Sequence, residues 1–261
     1  MNSAANPLDT LRLDGKVAIV TGGARGIGRA TVSALAAAGA SVAILDRDAE
    51  VAETMAQAIA GDGASITVHT ADVGDEAALE RAFATVAQHR GGVDILVNSA
   101  GIGLRHAAVD HPLADWDKVV GVNLTGVFLC SRIAARSMID RGGGAIVNLA
   151  SIMGFSGGGI YPNVSYQATK GAVVNMTRAL AVEWAQSGIR VNAVAPTWVR
   201  TDLTAGLLDQ AGVLDRIAEL TPLRRLATPE EVALAILFLA SPAASMITGH
   251  TLPVDGGFLA Q

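Results

Sequence analysis

Cysteine and charged residues are scarce in this chain, and each scarcity excludes a class of protein. The single cysteine, Cys130, excludes an internal disulfide and favours a reducing compartment, where it is expected as a small buried side chain. Only 16% of the 261 residues are charged, and no basic block offsets the formal net charge of -5. Nucleic acid is therefore not expected as a partner. The hydrophobic share of 51% instead predicts a large core in one domain.

Long hydrophobic runs, a secretory leader and metal-ligand pairs are also missing. The longest uninterrupted apolar run, 232–240, is far shorter than the roughly 18 residues that cross a bilayer, so no membrane span is predicted. The N-terminus lacks a basic start followed by an apolar stretch, and a cytoplasmic location is expected. The five histidines form no pair at helical spacing, which disfavours a metal site and a zinc-type alcohol dehydrogenase.

Short runs rich in β-branched residues alternate along the chain with alanine- and leucine-rich segments of helical periodicity. We predict strands at 16–21, 41–46, 66–70, 93–98, 144–150, 189–195 and 251–256. The main predicted helices lie at 26–38, 48–60, 75–89, 112–139 and 163–187. This order favours parallel strands with right-handed crossovers. The prediction is an α/β fold, a doubly wound, seven-stranded parallel sheet with helices on both faces, in a single domain (13–261) after an N-terminal tail (1–12).

One segment interrupts the alternation. The stretch at about 197–228 separates the sixth strand from a helix whose start is marked by Thr228 as N-cap, Pro229 in the first position and Glu231 three residues after the cap. Long insertions at strand ends commonly carry lids and substrate loops, so a substrate loop is predicted here.

A glycine-rich turn follows the first predicted strand directly. Gly22, Gly26 and Gly28 let the backbone turn tightly and approach a pyrophosphate, which the following helix N-terminus attracts through its free N–H groups. Ordinary tight turns also use glycines, but the position between strand and helix favours nucleotide binding.

The second predicted strand ends at Asp46, where a carboxylate can accept both hydroxyls of an adenosine ribose and would repel a 2′-phosphate. Arg25 and Arg47 point the other way, because either can hold a phosphate, although both can also simply lie in solvent. Asp46 is the acid at the expected place, so the sequence predicts NAD as cofactor rather than NADP.

The next two strand ends carry polar or small residues. Asp72 follows the third strand, close to where an adenine would lie, and a helix-capping role is the alternative. The sequence NSAG, from Asn98 to Gly101, ends the fourth strand with small groups that would let a cofactor pass close over the sheet edge.

Tyr166 and Lys170 lie four positions apart near the start of an apolar helical segment. On one helix face, the phenol and the ammonium can point at the same spot. Solvent-facing pairs of this kind are common, so the pair alone does not identify a catalytic site.

Taken together, these motifs resemble those of the short-chain dehydrogenase/reductase family, from about Leu13 to the end of the chain. The resemblance rests on TGGARGIG at 21–28, DV at 72–73, NSAG at 98–101, Asn123, Ser151, YQATK at 166–170 and VDGG at 254–257. It implies a Rossmann fold, hydride transfer between a nicotinamide and an alcohol or carbonyl carbon, and a homotetramer.

The resemblance also implies the site residues. The catalytic group would be Asn123, Ser151, Tyr166 and Lys170. The cofactor would be bound by Gly22, Arg25, Gly26, Ile27, Gly28, Asp46, Asp72, Val73, Asn98, Gly101, Tyr166, Lys170, Val199 and Thr201. Within this set, Asp72 and Val73 would contact the adenine, and Asn98 would steady the central strand. Val199 and Thr201 would meet the nicotinamide carboxamide.

Physical chemistry suggests a role for each catalytic residue. A free phenol has a pKa of about 10, and Lys170 together with a positive nicotinamide is expected to lower the pKa of Tyr166 so that it exchanges a proton with the substrate. Lys170 would also hold the nicotinamide ribose, and Ser151 would hydrogen-bond the reacting oxygen. Asn123, by resemblance, would help hold a water that connects Lys170 to solvent.

The chain departs from the family pattern in three places. Ser99 replaces the usual second asparagine of the NNAG motif, and Thr197 replaces the usual glycine after Pro196. The separation of Ser151 and Tyr166 is also a little longer than is common. The extra length lies in 154–164, which is expected to form one wall of the substrate site.

The sequence therefore predicts an NAD-dependent enzyme that interconverts a secondary alcohol and a ketone, on a small polar substrate such as a polyol, a sugar or a sugar acid. An NADPH-dependent 3-oxoacyl-carrier-protein reductase is the first alternative, and it would need a basic docking patch for which Arg200, Arg224 and Arg225 are the candidates. A catalytically silent NAD-sensing binding protein is the second, although Ser151, Tyr166 and Lys170 are all present.

Overall fold

The computed structural model describes residues 6–60 and 63–261, and its strands form one seven-stranded sheet. The strands are β1 (Val17–Thr21), β2 (Ser41–Asp46), β3 (Ile66–Thr70), β4 (Ile95–Asn98), β5 (Gly144–Leu149), β6 (Ile189–Pro196) and β7 (Thr251–Val254). Their order is β3-β2-β1-β4-β5-β6-β7, and all neighbouring pairs are parallel. The predicted doubly wound sheet is confirmed.

Helices cover both faces of this sheet. They are α1 (Gly26–Ala37), α2 (Ala49–Ala60), α3 (Glu76–Arg90), α4 (Leu113–Val120), α5 (Gly126–Asp140), α6 (Val164–Trp184), α7 (Asp202–Leu208), α8 (Val213–Leu220) and α9 (Pro229–Ala240). Helices α1, α2 and α9 share one core with the sheet, whereas α3, α5 and α6 share the other.

The two cores follow from strands that are apolar on both sides. In β1, Ile19 packs into the core with α3 and α5, and Val20 packs into the core with α1 and α9. Both side chains are almost fully buried, as expected for parallel strands covered by helices. Cys130 of α5 is also fully buried, in agreement with its predicted role as a small core residue.

The helix predicted at 112–139 differs in one detail that concerns the site. It comprises α4 and α5, joined by one π-helical turn at Gly121–Thr125 that contains Asn123. The run Leu113–Asp140 is long and apolar enough to cross a membrane, with a hydropathy of 1.3, but its most apolar window is 56% buried. It packs against β4, β5 and α3, as a core helix does.

The predicted substrate loop is more ordered than a loop. Between β6 and α9 the chain forms α7 and α8, whose apolar side chains pack with Trp198 and Ile152 in a small core of their own. Of the predicted N-terminal tail, residues 1–5 lie outside the described residues, and Pro7–Leu11 form a short 3-10 helix.

Candidate active site

A cleft of about 390 Å³ opens at the carboxyl ends of the strands, between β1 and β4, where the strand order reverses. In open α/β sheets this is the place where ligands bind. The cleft is lined by Gly22, Arg25, Gly26, Ile27, Gly28, Leu45, Asp46, Arg47, Ala71, Asp72, Val73, Ser99, Ala100, Gly101, Ile102, Val122, Leu149, Thr201, Asp202 and Leu203. Most of the residues predicted to bind the cofactor are therefore brought together along one cleft.

The glycine-rich turn is shaped for close approach of a ligand to the backbone. A Cβ on Gly22 would lie 2.7 Å from the Cα of Ala100, and one on Gly28 would lie 2.1 Å from the carbonyl oxygen of Gly22. Gly26, at φ +51, is the first residue of α1, whose N-terminal N–H groups face the cleft. This cradle fits the pyrophosphate of a dinucleotide, because glycine alone leaves room there.

Backbone hydrogen bonds fix the side chain of Asp46, the last residue of β2. Asp46 accepts a hydrogen bond from the backbone N–H of Ala24 at 3.1 Å and another from that of Asp48 at 3.1 Å. Arg25 is engaged by Asp48 at 2.7 Å and, across the cleft, by Asp202 at 3.3 Å. Asp46 therefore faces the cleft in a fixed position, while Arg25 is already paired with two carboxylates.

Four residues predicted to bind the cofactor lie outside the lining of this cleft: Asn98, Val199, Tyr166 and Lys170. The Asn98 side chain is buried, and its amide donates to the Oδ1 of Asn148 at 2.8 Å and to the Oγ of Ser131 at 2.9 Å. This fits its predicted role in steadying the strand rather than a contact with a ligand. Val199 is 3% exposed, forms a bridge with Ala227 and packs into a core, so its side chain does not line the cleft.

Ser151, Tyr166 and Lys170 meet beside the cleft, as predicted. Ser151, just after β5, accepts a hydrogen bond from the backbone N–H of Met153 at 3.1 Å, and it lines the same small cavity as Tyr166. Lys170 lies one turn further along α6, with its Nζ 5.5 Å from the centre of the Tyr166 ring. Its Nζ donates to the carbonyl oxygen of Leu149, the last residue of β5, at 2.5 Å, and this hydrogen bond fixes the position of the ammonium.

The electrostatics of this group differ from the expectation. Burial raises the pKa of Tyr166 to about 12. Ser151 and Arg105 each lower this pKa, but their effects are smaller than that of burial. Burial also lowers the pKa of Lys170 to about 8. In the protein itself, burial of both side chains therefore opposes the predicted lowering of the Tyr166 pKa. The joint effect of Lys170 and a bound, positively charged nicotinamide stays a prediction.

Asn123 is positioned by long-range hydrogen bonds. Its side-chain oxygen accepts from the N–H of Ile102 at 2.8 Å, and its amide nitrogen donates to the carbonyl of the same residue at 2.8 Å. The amide also reaches the hydroxyl of Thr169 at 3.4 Å. Asn123 thus fixes the strand-end backbone that lines the cleft, and its side chain is fully buried rather than exposed to a ligand.

A second, smaller cavity of about 60 Å³ adjoins the catalytic group. It is lined by Gly103, Arg105, Ser151, Ile152, Met153, Tyr161, Asn163, Tyr166, Thr197, Trp198, Leu203 and Thr204. Tyr161 and Asn163 belong to the segment predicted as a wall of the substrate site, and the loop after β6 provides the opposite wall.

Sequence reasoning assigned no role to three polar residues of this cavity. Arg105 stacks its guanidinium 4.6 Å from the centre of the Tyr161 ring and donates to the carbonyl of Leu203 at 3.1 Å. Asn163 and Thr197 line the same cavity as Ser151 and Tyr166. Asn163 lies in the segment predicted as a wall of the substrate site, and Thr197 departs from the glycine usual in the family, whereas nothing in the sequence marked Arg105.

The part of the chain that the structure describes contains no set of metal ligands. There, no group of three or more His, Cys, Asp or Glu side chains lies close enough to hold a metal ion. The candidate active site therefore consists of a nucleotide-sized cleft, a small side cavity and the Ser151–Tyr166–Lys170 group between them.

Known proteins share both the sequence and the architecture of this chain. The family model described as enoyl-(acyl carrier protein) reductase matches residues 22–259. A galactitol 2-dehydrogenase (L-tagatose-forming) from Cereibacter sphaeroides is 45% identical over 95% of this chain and 96% of its own. A 3-oxoacyl-[acyl-carrier-protein] reductase from Aquifex aeolicus is 40% identical over 95% and 98%.

Solved structures agree. That of a gluconate 5-dehydrogenase from Burkholderia cenocepacia J2315, in complex with NADP and tartrate, is 38% identical and superposes with a TM-score of 0.93 over 98% of this chain and 100% of that one. Together with the ordered motifs and the geometry of the cleft, these matches identify the family. The chain belongs to the short-chain dehydrogenase/reductase family.

Proposed function

We propose that this protein is an NAD-dependent oxidoreductase that interconverts a secondary alcohol and a ketone on a small polar substrate, such as a polyol, a sugar or a sugar acid. The observation that carries the proposal is the position of Ser151 and Tyr166, which border a small cavity directly beside the nucleotide-sized cleft. Two of the similar proteins, a galactitol 2-dehydrogenase and a gluconate 5-dehydrogenase, bear the names of a polyol and a sugar-acid substrate.

The cleft residues would hold the cofactor in an extended arrangement. The turn at Gly22, Gly26 and Gly28 and the start of α1 would receive the pyrophosphate, and Asp46 the adenosine ribose. Ile27, Asp72, Val73, Gly101 and Thr201 line the remainder of the cleft. When bound, the oxidised cofactor supplies a hydride acceptor and a positive ring.

The catalytic side chains would handle the proton and the reacting oxygen. Because the Ser151 Oγ accepts from the Met153 N–H, its own hydrogen remains free to be donated to the substrate oxygen. With a pKa of about 12, the Tyr166 phenol carries its proton at neutral pH and can give it to a forming alkoxide during ketone reduction. In the oxidative direction the phenolate form of Tyr166, which Lys170 would stabilise, takes the alcohol proton and becomes the phenol.

NAD is proposed as the cofactor rather than NADP because of the charges at the end of β2. The fixed Asp46 carboxylate faces the place of the ribose hydroxyls, where a 2′-phosphate would meet a like charge. Arg25, one candidate partner for such a phosphate, is already paired with Asp48 and Asp202. Arg47 also lines the cleft and is the main argument for NADP.

The carrier-protein alternative is weakened by neutralised arginines. Arg200 is paired with Asp209 at 3.2 Å, and Arg225 with Glu231 at 2.6 Å. Two of the three residues expected to form a basic docking patch therefore carry little free charge. The silent NAD-sensing alternative is disfavoured because Ser151, Tyr166 and Lys170 lie together beside both cavities.

A homotetramer is proposed from the resemblance and from apolar side chains that remain exposed in the single chain. They include Phe128 on α5, which is 40% exposed, Val182 on α6, which is 81% exposed, and Met246 near the C-terminal end, which is 96% exposed. Sedimentation at micromolar concentration tests this, and a monomer would contradict it. A cytoplasmic location remains a proposal that cell fractionation can test.

A turnover screen tests the proposed function. Polyols, sugars, sugar acids and simple hydroxy acids are offered with NAD+ and with NADP+, and formation of the reduced nicotinamide is followed by its absorbance. The proposal predicts turnover of one or more polyhydroxylated alcohols, faster with NAD+. Tight cofactor binding without turnover of any alcohol would favour the sensing alternative, and activity confined to 3-oxoacyl thioesters would favour the reductase.

A further inference from the structure

Two buried polar atoms in the wall of the small cavity lack a hydrogen-bond partner. Within the described part of the chain, the Oδ1 of Asn163 and the Oγ1 of Thr197 have none, and the two residues are only 7% and 8% exposed. Both residues line the cavity that also contains Ser151 and Tyr166. Buried polar atoms are almost always paired, so each of these two calls for a partner from outside the chain.

Two other polar side chains of this wall are already engaged in hydrogen bonds within the chain. The hydroxyl of Thr204 donates to the carbonyl of Val199 at 2.5 Å, and the guanidinium of Arg105 donates to the carbonyl of Leu203. Unlike the side chains of Thr204 and Arg105, the Oδ1 of Asn163 and the Oγ1 of Thr197 therefore remain available to a ligand. Asn163 is also held in place, because its backbone carbonyl accepts the N–H of Gln167 at the start of α6.

The chemistry of the two atoms defines what they can bind. An amide oxygen accepts hydrogen bonds only, and a threonine hydroxyl both donates and accepts, so a ligand hydroxyl satisfies both kinds of site. A carboxylate would repel the amide oxygen. The remaining walls, Ile152, Met153, Trp198 and Leu203, are apolar and offer contacts to a short carbon chain.

The small size of the shared cavity limits how far that hydroxyl can lie from the reacting oxygen. Ser151 and Tyr166 hold the reacting oxygen at the same cavity, and a cavity of about 60 Å³ leaves room for only a few additional atoms. A hydroxyl on the carbon next to the reacting carbon meets this requirement.

We propose that Asn163 and Thr197 bind a second substrate hydroxyl and thereby select vicinal diols over simple secondary alcohols. This inference rests on the proposed function and narrows its substrate class. A site built to hydrogen-bond a substrate hydroxyl rejects the analogue without it, because its own buried polar atoms are then left unpaired.

The test compares pairs of alcohols that differ by one hydroxyl. Wild-type protein and the variants Asn163→Leu and Thr197→Val, which keep side-chain size but remove the polar atoms, are assayed with butane-2,3-diol against butan-2-ol and propane-1,2-diol against propan-2-ol. The ratio of kcat/KM for diol to kcat/KM for mono-ol is the readout. We expect roughly 100-fold or more in the wild type, and a loss of about tenfold or more in each variant.

Thr221→Val is the matched control. The Thr221 hydroxyl is likewise buried and unpartnered among the described residues, but it lies outside the lining of this cavity. Its removal should leave the ratio unchanged. Thermal unfolding of each variant verifies the fold, and Thr197→Gly, which introduces the residue usual in the family, provides a second variant if Asn163→Leu does not fold.

The outcomes separate this inference from the proposed function. A wild type that turns over no alcohol in the wider screen overturns the proposed function. A wild type that oxidises alcohols with similar efficiency for diol and mono-ol, or that oxidises longer polyols but neither diol, overturns the inference alone. So does an equal loss for both members of a pair in the variants, because a merely structural role would produce it.

Discussion

Lys170 lies over the Tyr166 ring, with its Nζ 5.5 Å from the ring centre, and is held there by a hydrogen bond to the Leu149 carbonyl. Lys170 is only 3% exposed, and among the described residues no carboxylate forms an ion pair with its ammonium. Its charge is therefore available to the phenolate and to a ligand in the cleft. The arrangement costs stability in the free protein, because a buried charge is poorly solvated.

Lys170→Met should remove a pH dependence of stability. Burial lowers the Lys170 pKa from 10.5 to about 8, so between these values the folded protein binds fewer protons than the unfolded chain. The free energy of unfolding should therefore rise as pH increases from about 8 to 10.5, while below pH 8 the full cost, about 3 kcal/mol, is present. Urea unfolding of both proteins across this range measures the slope.

The variant should be more stable than the wild type near neutral pH, and this advantage should shrink towards pH 10.5. Tyr166 acts in the opposite direction only above its ordinary pKa of 10.0, where its raised pKa makes stability fall with pH. If Lys170→Met and the wild type showed parallel stability curves between pH 8 and 10, the lowered pKa of Lys170 would be refuted.

Asp46→Ser should weaken or invert the cofactor preference. The charged hydrogen bonds to the ribose and the repulsion of a 2′-phosphate are together worth roughly 2 to 4 kcal/mol, and each 1.4 kcal/mol is about tenfold. In the wild type, kcat/KM for NAD should exceed that for NADP by at least about tenfold. The serine variant should let Arg47 approach a phosphate from the cleft wall.

The paired Arg25 offers a refinement of this experiment. Because Asp48 holds it at 2.7 Å, adding Asp48→Asn to Asp46→Ser should release Arg25 and increase NADP use further. All values of kcat/KM need one ionic strength, since salt screens exposed charges. A wild type that favours NADP would mean that the arginines dominate and that the proposed role of Asp46 is incorrect.

Asn98→Leu should destabilise the fold without weakening cofactor binding. Its amide joins β4 to Ser131 of α5 and to Asn148 of β5, and Asn148 in turn donates to the Thr177 hydroxyl at 3.0 Å. Loss of one member leaves buried partners unsatisfied, at a cost of about 1 to 3 kcal/mol in unfolding free energy. Denaturant unfolding and cofactor titration measure the two effects. A clear rise in Kd at unchanged stability would instead assign Asn98 to the cofactor.

The sheet and most of the cleft could be predicted from the sequence because their signals are local. Strands such as β1 are apolar on both faces, and Gly22 and Gly28 must be glycine, since a Cβ would collide with backbone. The π-helical turn at Asn123 could not be predicted, because its residues are compatible with an ordinary helix. The hydrogen bonds between Asn123 and Ile102 join residues that are distant in sequence.

The pKa values of the catalytic group and the lining of the small cavity also could not be predicted from the sequence, because they depend on contacts between residues distant in the chain. The raised pKa of Tyr166 depends on how many atoms surround the phenol, which a pattern of residues does not reveal. Val199 was predicted to meet the cofactor because of the family resemblance, yet its side chain packs into a core. The sequence placed Asn163 in an expected wall of the substrate site, but its role as a hydrogen-bonding residue emerged only from the fold, which brings it into the same cavity as Ser151.

The most direct test of the central claim uses the two tyrosines of the chain. Tyr161 and Tyr166 both line the small cavity, but Tyr166 is the one whose ring has the Lys170 Nζ 5.5 Å from its centre. With the best alcohol from the screen, Tyr166→Phe should lower kcat by roughly 100-fold or more, the range typical of a lost general acid or base. Cofactor affinity and thermal unfolding should stay near the wild-type values, and Tyr161→Phe should cause a much smaller loss of kcat. Near-normal turnover by Tyr166→Phe, or an equal loss in both variants, would contradict the assignment of Tyr166 as the proton-transfer group.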